Sequence, residues 1–241
     1  MDPASLRAAR HVARGGADAL ARAVVPGSTA MMRTLRLLAA AGRVDALEAI
    51  CDRADFSAAD LIRYRFDDYV GACGSISVLE WLRARGASNT ALLEGQLVDT
   101  AAAHGRIGLL AHMRDHMEVD AGYVVETLVP AAAAEAGRVD VLEWLRETYD
   151  LDATDIRRSG NAALRLAAEG GSVEALDWLY RTFGLTPADV GEAEVVAAAA
   201  GHAGVLAWAR GLLGGRAFAV AADLPGEGAF AETAWTAGLD D

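Results

Sequence analysis

The sequence predicts an all-α fold, a helical-repeat solenoid of about six helix-turn-helix units. Three observations carry this prediction: a motif led by glycine recurs along the chain, each copy has leucine at its fifth following position, and a run of small or helix-forming residues precedes each glycine. Recurrence of one pattern at a nearly constant period indicates stacked supersecondary units rather than one globular core. The motif glycines, 30 to 34 residues apart, are Gly42, Gly74, Gly105, Gly137, Gly171 and Gly201.

The residues after each glycine predict an amphipathic helix. The second and fifth positions are apolar in every copy, whereas the third and sixth are often acidic. Positions with this spacing share one side of a helix with 3.6 residues per turn. We therefore expect a buried row of leucines, formed by Leu47, Leu79, Leu110, Leu142, Leu176 and Leu206.

Tryptophan occupies the seventh position after the glycine in four copies. Because a repeated position in a stack repeats its core contacts, we interpret these side chains as packing residues and not as an aromatic ligand cage. Tetratricopeptide repeats have a similar length but carry their tryptophan early in the first helix. The four residues are Trp81, Trp144, Trp178 and Trp208.

A second, shorter helix is expected before each glycine, often rich in alanine, as in LVPAAAAEA before Gly137. Small side chains allow neighbouring units to approach closely, and glycine adopts the positive φ that commonly ends a helix. The connectors LDATDIRRSG and LTPADVGEAE predict turns or short helices. There Thr154 or Thr186 can cap the first turn, Pro187 suits the first helical position and Asp189 suits the first turn.

The stretch from Asn161 to Gly184 resembles an ankyrin repeat, and the likeness extends over about residues 29–215. The family's Thr-Pro-Leu-His opening is absent, and turns or short helices take the place of most β-hairpins. The Leu-x-Trp-Leu variant is similar to divergent ankyrin arrays of large DNA viruses and some protists. The residues at the family's framework positions are Leu164, Leu166, Ala167, Ala168, Gly171, Val173, Leu176 and Leu179.

The sequence divides into three predicted segments. Residues 1–28 are a helical cap or a degenerate repeat, residues 29–215 are the ankyrin-like array, and residues 216–241 are an acidic tail or a cap. A terminal cap is expected because the outermost units of a stack expose apolar surface. Two alternatives stay open: residues 3–25 as an arginine-rich transit peptide, and the tail as a peptide offered to a partner.

Composition excludes several classes of function. The formal net charge is −12, and the excess of acid lies in the array, which disfavours nucleic acid as a partner. No apolar run is long enough to cross a membrane, so we expect a cytoplasmic protein, in the host cell if the source is viral. All 22 basic residues are arginine, a pattern that fits either a GC-rich genome or evasion of ubiquitin.

We expect no catalytic site, no metal and no cofactor. The sequence lacks a nucleophile elbow, a phosphate-binding loop and a dinucleotide fingerprint. His112 and His116 have an i, i+4 spacing that can hold a metal, and His104 lies one turn before their helix, but no third ligand is evident. Cys51 and Cys73 are expected to be free thiols.

The resemblance to ankyrin arrays implies a non-enzymatic module that binds another protein through its concave face. Its first helices would place there a mainly acidic set suited to a basic segment of the partner. The alternative is a structural or self-associating component whose ends or tail join copies, although a monomer is favoured. The candidate partner-binding residues are Asp67, Asp68, Asp99, Glu135, Arg165 and Glu169.

Overall fold

The computed structural model describes residues 29–158, 160–191 and 200–213, and within these ranges the regular structure is entirely helical. The predicted caps at residues 1–28 and 216–241, and the predicted helix EAEVVAAAA before Gly201, lie outside the described residues except for Ala200. In chain order the helices are α1 (Thr29–Ala40), α2 (Val44–Ala54), α3 (Ala58–Arg63), α4 (Phe66–Cys73), α5 (Ile76–Ala84), α6 (Asn89–Leu93), α7 (Leu97–Ala103), α8 (Ile107–Met117), α9 (Ala121–Glu126), α10 (Val129–Glu135), α11 (Val139–Tyr149), α12 (Ala153–Arg158), α13 (Ala162–Glu169), α14 (Val173–Thr182) and α15 (Ala203–Leu213).

Each full unit contains three helices in a fixed order. A short connector helix (α3, α6, α9 or α12) comes first, then an inner helix that ends near the motif glycine, then an outer helix that begins just after it. The inner helices are α1, α4, α7, α10 and α13, and the outer helices are α2, α5, α8, α11, α14 and α15. The predicted helical-repeat solenoid, with short helices in place of β-hairpins, is therefore confirmed.

Successive inner helices pack directly on one another, α1 on α4, α4 on α7, α7 on α10 and α10 on α13. Glycine is required where two of them touch. A Cβ atom at Gly71 of α4 would lie 2.5 Å from the carbonyl oxygen of Leu97, and one at Gly170 would lie 2.2 Å from that of Glu135. These distances are far inside van der Waals contact, so larger side chains would force the units apart.

The motif glycines end the inner helices in the left-handed conformation, as predicted. Their φ angles lie between 64° and 77°. At Gly105 the amide donates to the carbonyl of Ala102, while the next amide, of Arg106, donates to the carbonyl of Ala101. This pair of hydrogen bonds is the Schellman motif, which satisfies carbonyl groups at a helix end.

The side chain after the glycine joins one unit to the previous one. Arg106 donates from Nε to the carbonyl oxygen of Ala72 at 2.8 Å. His202, at the same position three units later, contacts the carbonyl oxygen of Glu169 through Nε2 at 2.7 Å. Each side chain thus satisfies a carbonyl at the end of the preceding inner helix, which its own helix leaves without a partner.

Polar side chains cap the connector helices. Ser57 and Asp60 form a reciprocal capping box at α3, and Asp120 accepts from the amide of Tyr123 at 2.8 Å. The prediction of Thr154 as a cap is wrong: α12 begins at Ala153, and Asp152 accepts from the amide of Asp155 at 3.0 Å. Aspartate one residue before the helix reaches these amides, whereas Thr154 already lies inside the first turn.

Asp189 links two successive connectors. It accepts from the amide of Thr186 at 2.7 Å and from Arg157 Nη2 of the preceding unit at 3.2 Å. Asn161 Nδ2 also donates to it, at 3.3 Å. Burial by itself would raise the pKa of Asp189, but the hydrogen bonds from Arg157 and Thr186 lower that pKa to about 2.

The outer helices bury the predicted leucine row with one exception. The first five leucines are at most 3% exposed. Leu206 is only half-buried. It lies in α15, the last outer helix that the structure describes, so no described unit follows to cover it.

A hydrogen-bonded ladder crosses the outer helices. Trp178 Nε1 donates to Glu143 Oε1 at 3.2 Å, and Trp208 Nε1 donates to Asp177 Oδ1 at 3.3 Å. The acceptor stands six residues after the motif glycine of one unit, and the donor stands seven residues after the glycine of the next. The tryptophans therefore pack as predicted, and two of them also hold a carboxylate of the preceding unit.

Removing a leucine from the middle of the row tests the stacking. We expect Leu142→Ala to lower the free energy of unfolding by ~2–5 kcal/mol, because it deletes buried methyl groups and leaves a cavity. Leu206→Ala is the matched control and should lower it less, since Leu206 is half-buried. Chemical denaturation followed by circular dichroism measures both, and equal losses would contradict the assigned register.

A second pair of variants tests the ladder. Trp178→Phe removes the indole N–H while keeping an aromatic ring, so we expect a loss of about 0.5–1.5 kcal/mol beyond the effect of ring size. Trp144→Phe is the control, because Ala111 stands where its carboxylate acceptor would be. If both variants shift the denaturation midpoint equally, the ladder does not stabilise the array.

Candidate functional site

The six predicted partner-binding residues lie at two levels of the inner helices. Asp67, Asp68 and Asp99 belong to the first turns of α4 and α7. Glu135 and Glu169 are the last residues of α10 and α13, and Arg165 lies one turn before Glu169. The structure therefore separates an aspartate group near the connectors from a glutamate group near the motif turns.

Asp67 is buried, with 3% of its surface exposed. Its Oδ2 faces Gly95 so closely that a Cβ atom there would lie 2.3 Å away, and its Oδ1 has no hydrogen-bond partner among the described residues. Burial, followed by the charge of Asp68, raises the pKa of Asp67. A partner cannot reach this carboxyl group without displacing the chain around Gly95.

Asp68 is half-buried and already has a cationic partner. Arg65, in the left-handed conformation with φ 56°, donates to Asp68 through Nε and to Gln96 of the next unit through Nη2. The guanidinium thus joins two units and neutralises the carboxylate. Asp68 contributes less to an acidic surface than its sequence position suggested.

Asp99 is half-buried, and no group in the described part of the chain forms a hydrogen bond with its Oδ1. Burial raises the pKa of Asp99, and no neighbouring cation opposes that shift. Tyr123 lies close enough to Asp99 to be affected by its charge. Burial, and then the charge of Asp99, raise the pKa of Tyr123 to about 12. Its hydroxyl donates instead to the carbonyl of Leu93 at 3.0 Å.

Glu135, Arg165 and Glu169 are exposed, and their side chains have no hydrogen-bond or ion-pair partner among the described residues. Glu135 and Glu169 occupy equivalent positions, two residues before the motif glycine. Their helix ends touch, because Gly170 lies against the carbonyl of Glu135. The two carboxylates therefore come from the ends of adjacent inner helices.

The earlier units carry a pocket that the sequence analysis did not identify. The Tyr69 pocket is a shallow cavity of about 270 Å³ at the ends of α1 and α4. In these units Ala40 and Ala72 hold the positions equivalent to Glu135 and Glu169. This difference between units is visible in the sequence and could have pointed to the pocket. The pocket is lined by Ala40, Tyr69, Ala72, Cys73 and Arg106.

The histidines and cysteines take part in local packing. His112 stacks on His116 at 4.3 Å between ring centroids and donates from Nε2 to Glu80 Oε1 at 2.7 Å, at the ladder position that tryptophan fills elsewhere. Within the described ranges, no three His, Cys, Asp or Glu side chains are arranged to hold a metal ion. Cys51 and Cys73 are free thiols, and Cys51 is fully buried.

The burial of Asp99 predicts a stability effect that depends on pH. Because its pKa is raised in the folded chain, the group favours folding most below its unfolded pKa, and this contribution is lost as the pH rises through the folded value. We expect Asp99→Asn to stabilise the protein at neutral pH, with no gain in acid below the unfolded pKa of about 4. Denaturation at several pH values measures this.

Asp60→Asn is the control with the opposite sign. Hydrogen bonds from Ser57 lower the pKa of Asp60, so its contribution is present above the unfolded pKa and lost as the pH falls through the folded value. We expect this variant to be destabilised at neutral pH and to approach the parent protein in acid. A neutral-pH loss of stability in Asp99→Asn would contradict the assignment of Asp99 as a desolvated carboxylate.

Comparison with known proteins gives one match. Residues 131–179, from within α10 to near the end of α14, match a family model described as ankyrin repeats in many copies. No curated protein and no solved structure matches the chain. No helix in the described part of the chain is both long and apolar enough to cross a bilayer. The matched region is therefore similar to ankyrin repeats, and it lies within the repeated helical architecture.

Proposed function

We propose that this chain is a non-enzymatic module that binds another protein through the face formed by its inner helices, called the inner-helix face. Ankyrin repeats generally mediate protein–protein interactions, and the match at residues 131–179 is the basis for proposing such a function for this chain. The supporting observation is local: Glu135, Arg165 and Glu169 are exposed on two adjacent inner helices and have no side-chain partner among the described residues.

The carboxylate pair of Glu135 and Glu169 favours a basic segment of the partner. A guanidinium or ammonium group placed between the two inner-helix ends would contact both carboxylates, whereas Arg165 would repel it if it entered one turn too far toward the connectors. Such charges mainly affect the rate of association and the choice of partner, and less the final affinity. The net charge of −12 acts in the same direction.

We also propose that the protein acts in the cytoplasm and that it is related to the ankyrin arrays of large DNA viruses and protists. The two free thiols favour a reducing compartment, and the Leu-x-Trp-Leu motif favours the kinship.

Self-association is the second candidate function. It is favoured by α15, where Leu212 is 36% exposed and Leu206 is half-buried. Apolar surface at the end of a stack can be covered by another copy of the chain. Light scattering over a range of protein concentrations separates the candidates, because a binding module stays monomeric and a self-associating component forms a defined oligomer.

The basic-partner proposal predicts a kinetic effect of neutralising the two glutamates. A partner captured from native host lysate should associate more slowly with the Glu135→Gln, Glu169→Gln double variant. Its association rate should also depend less on salt, because exposed charges attract over a Debye length of about 8 Å at physiological ionic strength. Surface plasmon resonance at several salt concentrations measures both.

The matched control neutralises two exposed acids of the outer helices, Glu147→Gln with Glu174→Gln. Both double variants change the net charge equally, so any difference reports position and not total charge. Equal kinetics in the two variants would overturn the assignment of the inner-helix face as the binding surface.

A further inference from the structure

We propose that the Tyr69 pocket receives an apolar side chain flanked by a carboxylate, contributed by the partner polypeptide. This inference rests on the proposed function of the inner-helix face and adds a second contact point to it. The glutamate pair of α10 and α13 would hold the basic end of the bound segment, and the Tyr69 pocket of α1 and α4 would hold its apolar and acidic end.

The shape of the pocket favours one large apolar side chain. Its volume of about 270 Å³ is just below the roughly 300–1,000 Å³ of pockets for drug-sized ligands. Its lining combines the small side chains of Ala40 and Ala72 with the half-buried Tyr69. An aromatic ring beside small apolar side chains is suited to aliphatic or aromatic groups.

The charges at the pocket favour an anion beside that apolar group. Arg106 lines the pocket and donates from Nε to the carbonyl of Ala72, which anchors the guanidinium and leaves its two terminal nitrogens without a partner among the described residues. Arg36 lies over the Tyr69 ring, with Cζ 5.8 Å from the ring centroid. Both arginines are exposed, and neither is paired with an acid among the described residues.

Comparison of equivalent positions supports a binding role. In a repeat array, positions that serve the stack are repeated, whereas exposed positions that serve a partner are free to differ between units. The position of Tyr69 is held by Leu37, Thr100, Ala132 and Leu166 in the other described inner helices. The pocket is therefore a local feature of α1 and α4 and not a requirement of the stack.

Charge is therefore distributed unevenly along the inner-helix face. Its early units present Arg36 and Arg106, whereas its later units present Glu135 and Glu169, with Arg165 one turn away. A bound segment with the opposite distribution of charge is accepted in one direction and repelled in the reverse direction, because like charges would then face each other. Charge thus fixes the direction of the partner, and the pocket fixes its register.

The test uses the full chain and two small probes, 4-phenylbutyrate and its neutral analogue 4-phenylbutanamide. Nuclear magnetic resonance titration should show saturable shifts of the Tyr69 and Cys73 amides with phenylbutyrate, and about tenfold weaker binding of the amide. Phenylbutyrate should also slow alkylation of the half-buried Cys73 by N-ethylmaleimide. Cys51, which is fully buried, is the internal control for unfolding.

Variants separate shape from charge. Ala40→Leu adds bulk from an exposed position and should abolish binding of both probes, whereas Ala103→Leu, at the equivalent position of α7 and outside the pocket, should not. Arg106→Gln should weaken phenylbutyrate binding about tenfold and leave phenylbutanamide unchanged. Arg138→Gln, at the equivalent position one unit later, should change neither.

Three results would overturn the proposal. Absence of saturable shifts would show that the pocket binds no apolar group. Equal affinity for the two probes would show that the pocket does not recognise a carboxylate. If Cys73 is protected in the unliganded chain and Trp235→Ala exposes it, the occupant is the chain's own tail and not a partner. None of these results depends on the glutamate pair, so the proposed function would still be tested separately by its association kinetics.

Discussion

Close contact between successive inner helices is the constraint on which the rest of the structure depends. A unit of about 32 residues is too small to bury its own apolar face, so it is stable only against its neighbours. That contact requires glycine or alanine where the backbones meet. At Gly71 and Gly170 the carbonyl of the next or previous helix occupies the space of a Cβ atom. The alanine-rich inner helices follow from this requirement.

The same contact determines how polar groups are satisfied. Once the inner helices touch, the ends of neighbouring helices lie within reach of single side chains, and hydrogen bonds across units become possible at every level. Arg106 satisfies a carbonyl near the motif turn, Tyr149 satisfies the carbonyl of Val119 near a connector at 3.0 Å, and Trp178 holds a carboxylate on the outer helices. Loss of one unit would therefore leave unpartnered groups on both neighbours, which favours cooperative unfolding.

The sequence predicts most of the framework because a recurring pattern reports recurring contacts. The motif glycines, five of the six leucines and the helical connectors follow from period and propensity, and all have the expected form. The helix α4 was harder to recognise, since its sequence FDDYVGAC contains a single alanine. The cap of α12 was misplaced because Asp152 and Thr154 are both good capping residues, and only the backbone decides between them.

The candidate site could be predicted only in part, because side-chain burial depends on the neighbouring unit and not on the residue's own helix. Asp67, Asp99 and Glu135 all lie on inner helices, yet Gly95 covers Asp67, Asp99 is half-buried, and Glu135 is open. Sequence register locates such residues along the array without showing what the next connector places over them. Likewise the pocket beside Tyr69 depends on Arg106, which is 37 positions later in the chain.

Two aspartates that folding desolvates, the buried Asp67 and the half-buried Asp99, show how the inner-helix face balances stability against charge. Asp67 and Asp99 lie in first turns, where the helix dipole favours a negative group, but both have unpartnered Oδ1 atoms, and burial raises both pKa values. Burial therefore outweighs the dipole, and each carboxylate opposes folding at neutral pH. Ionisable groups whose pKa is shifted by burial in this way are concentrated at functional sites in other proteins. Asp67 and Asp99 lie near the connectors, whereas on the outer helices Glu143 and Asp177 accept hydrogen bonds from tryptophan, so in these units the carboxylates that oppose folding belong to the inner helices.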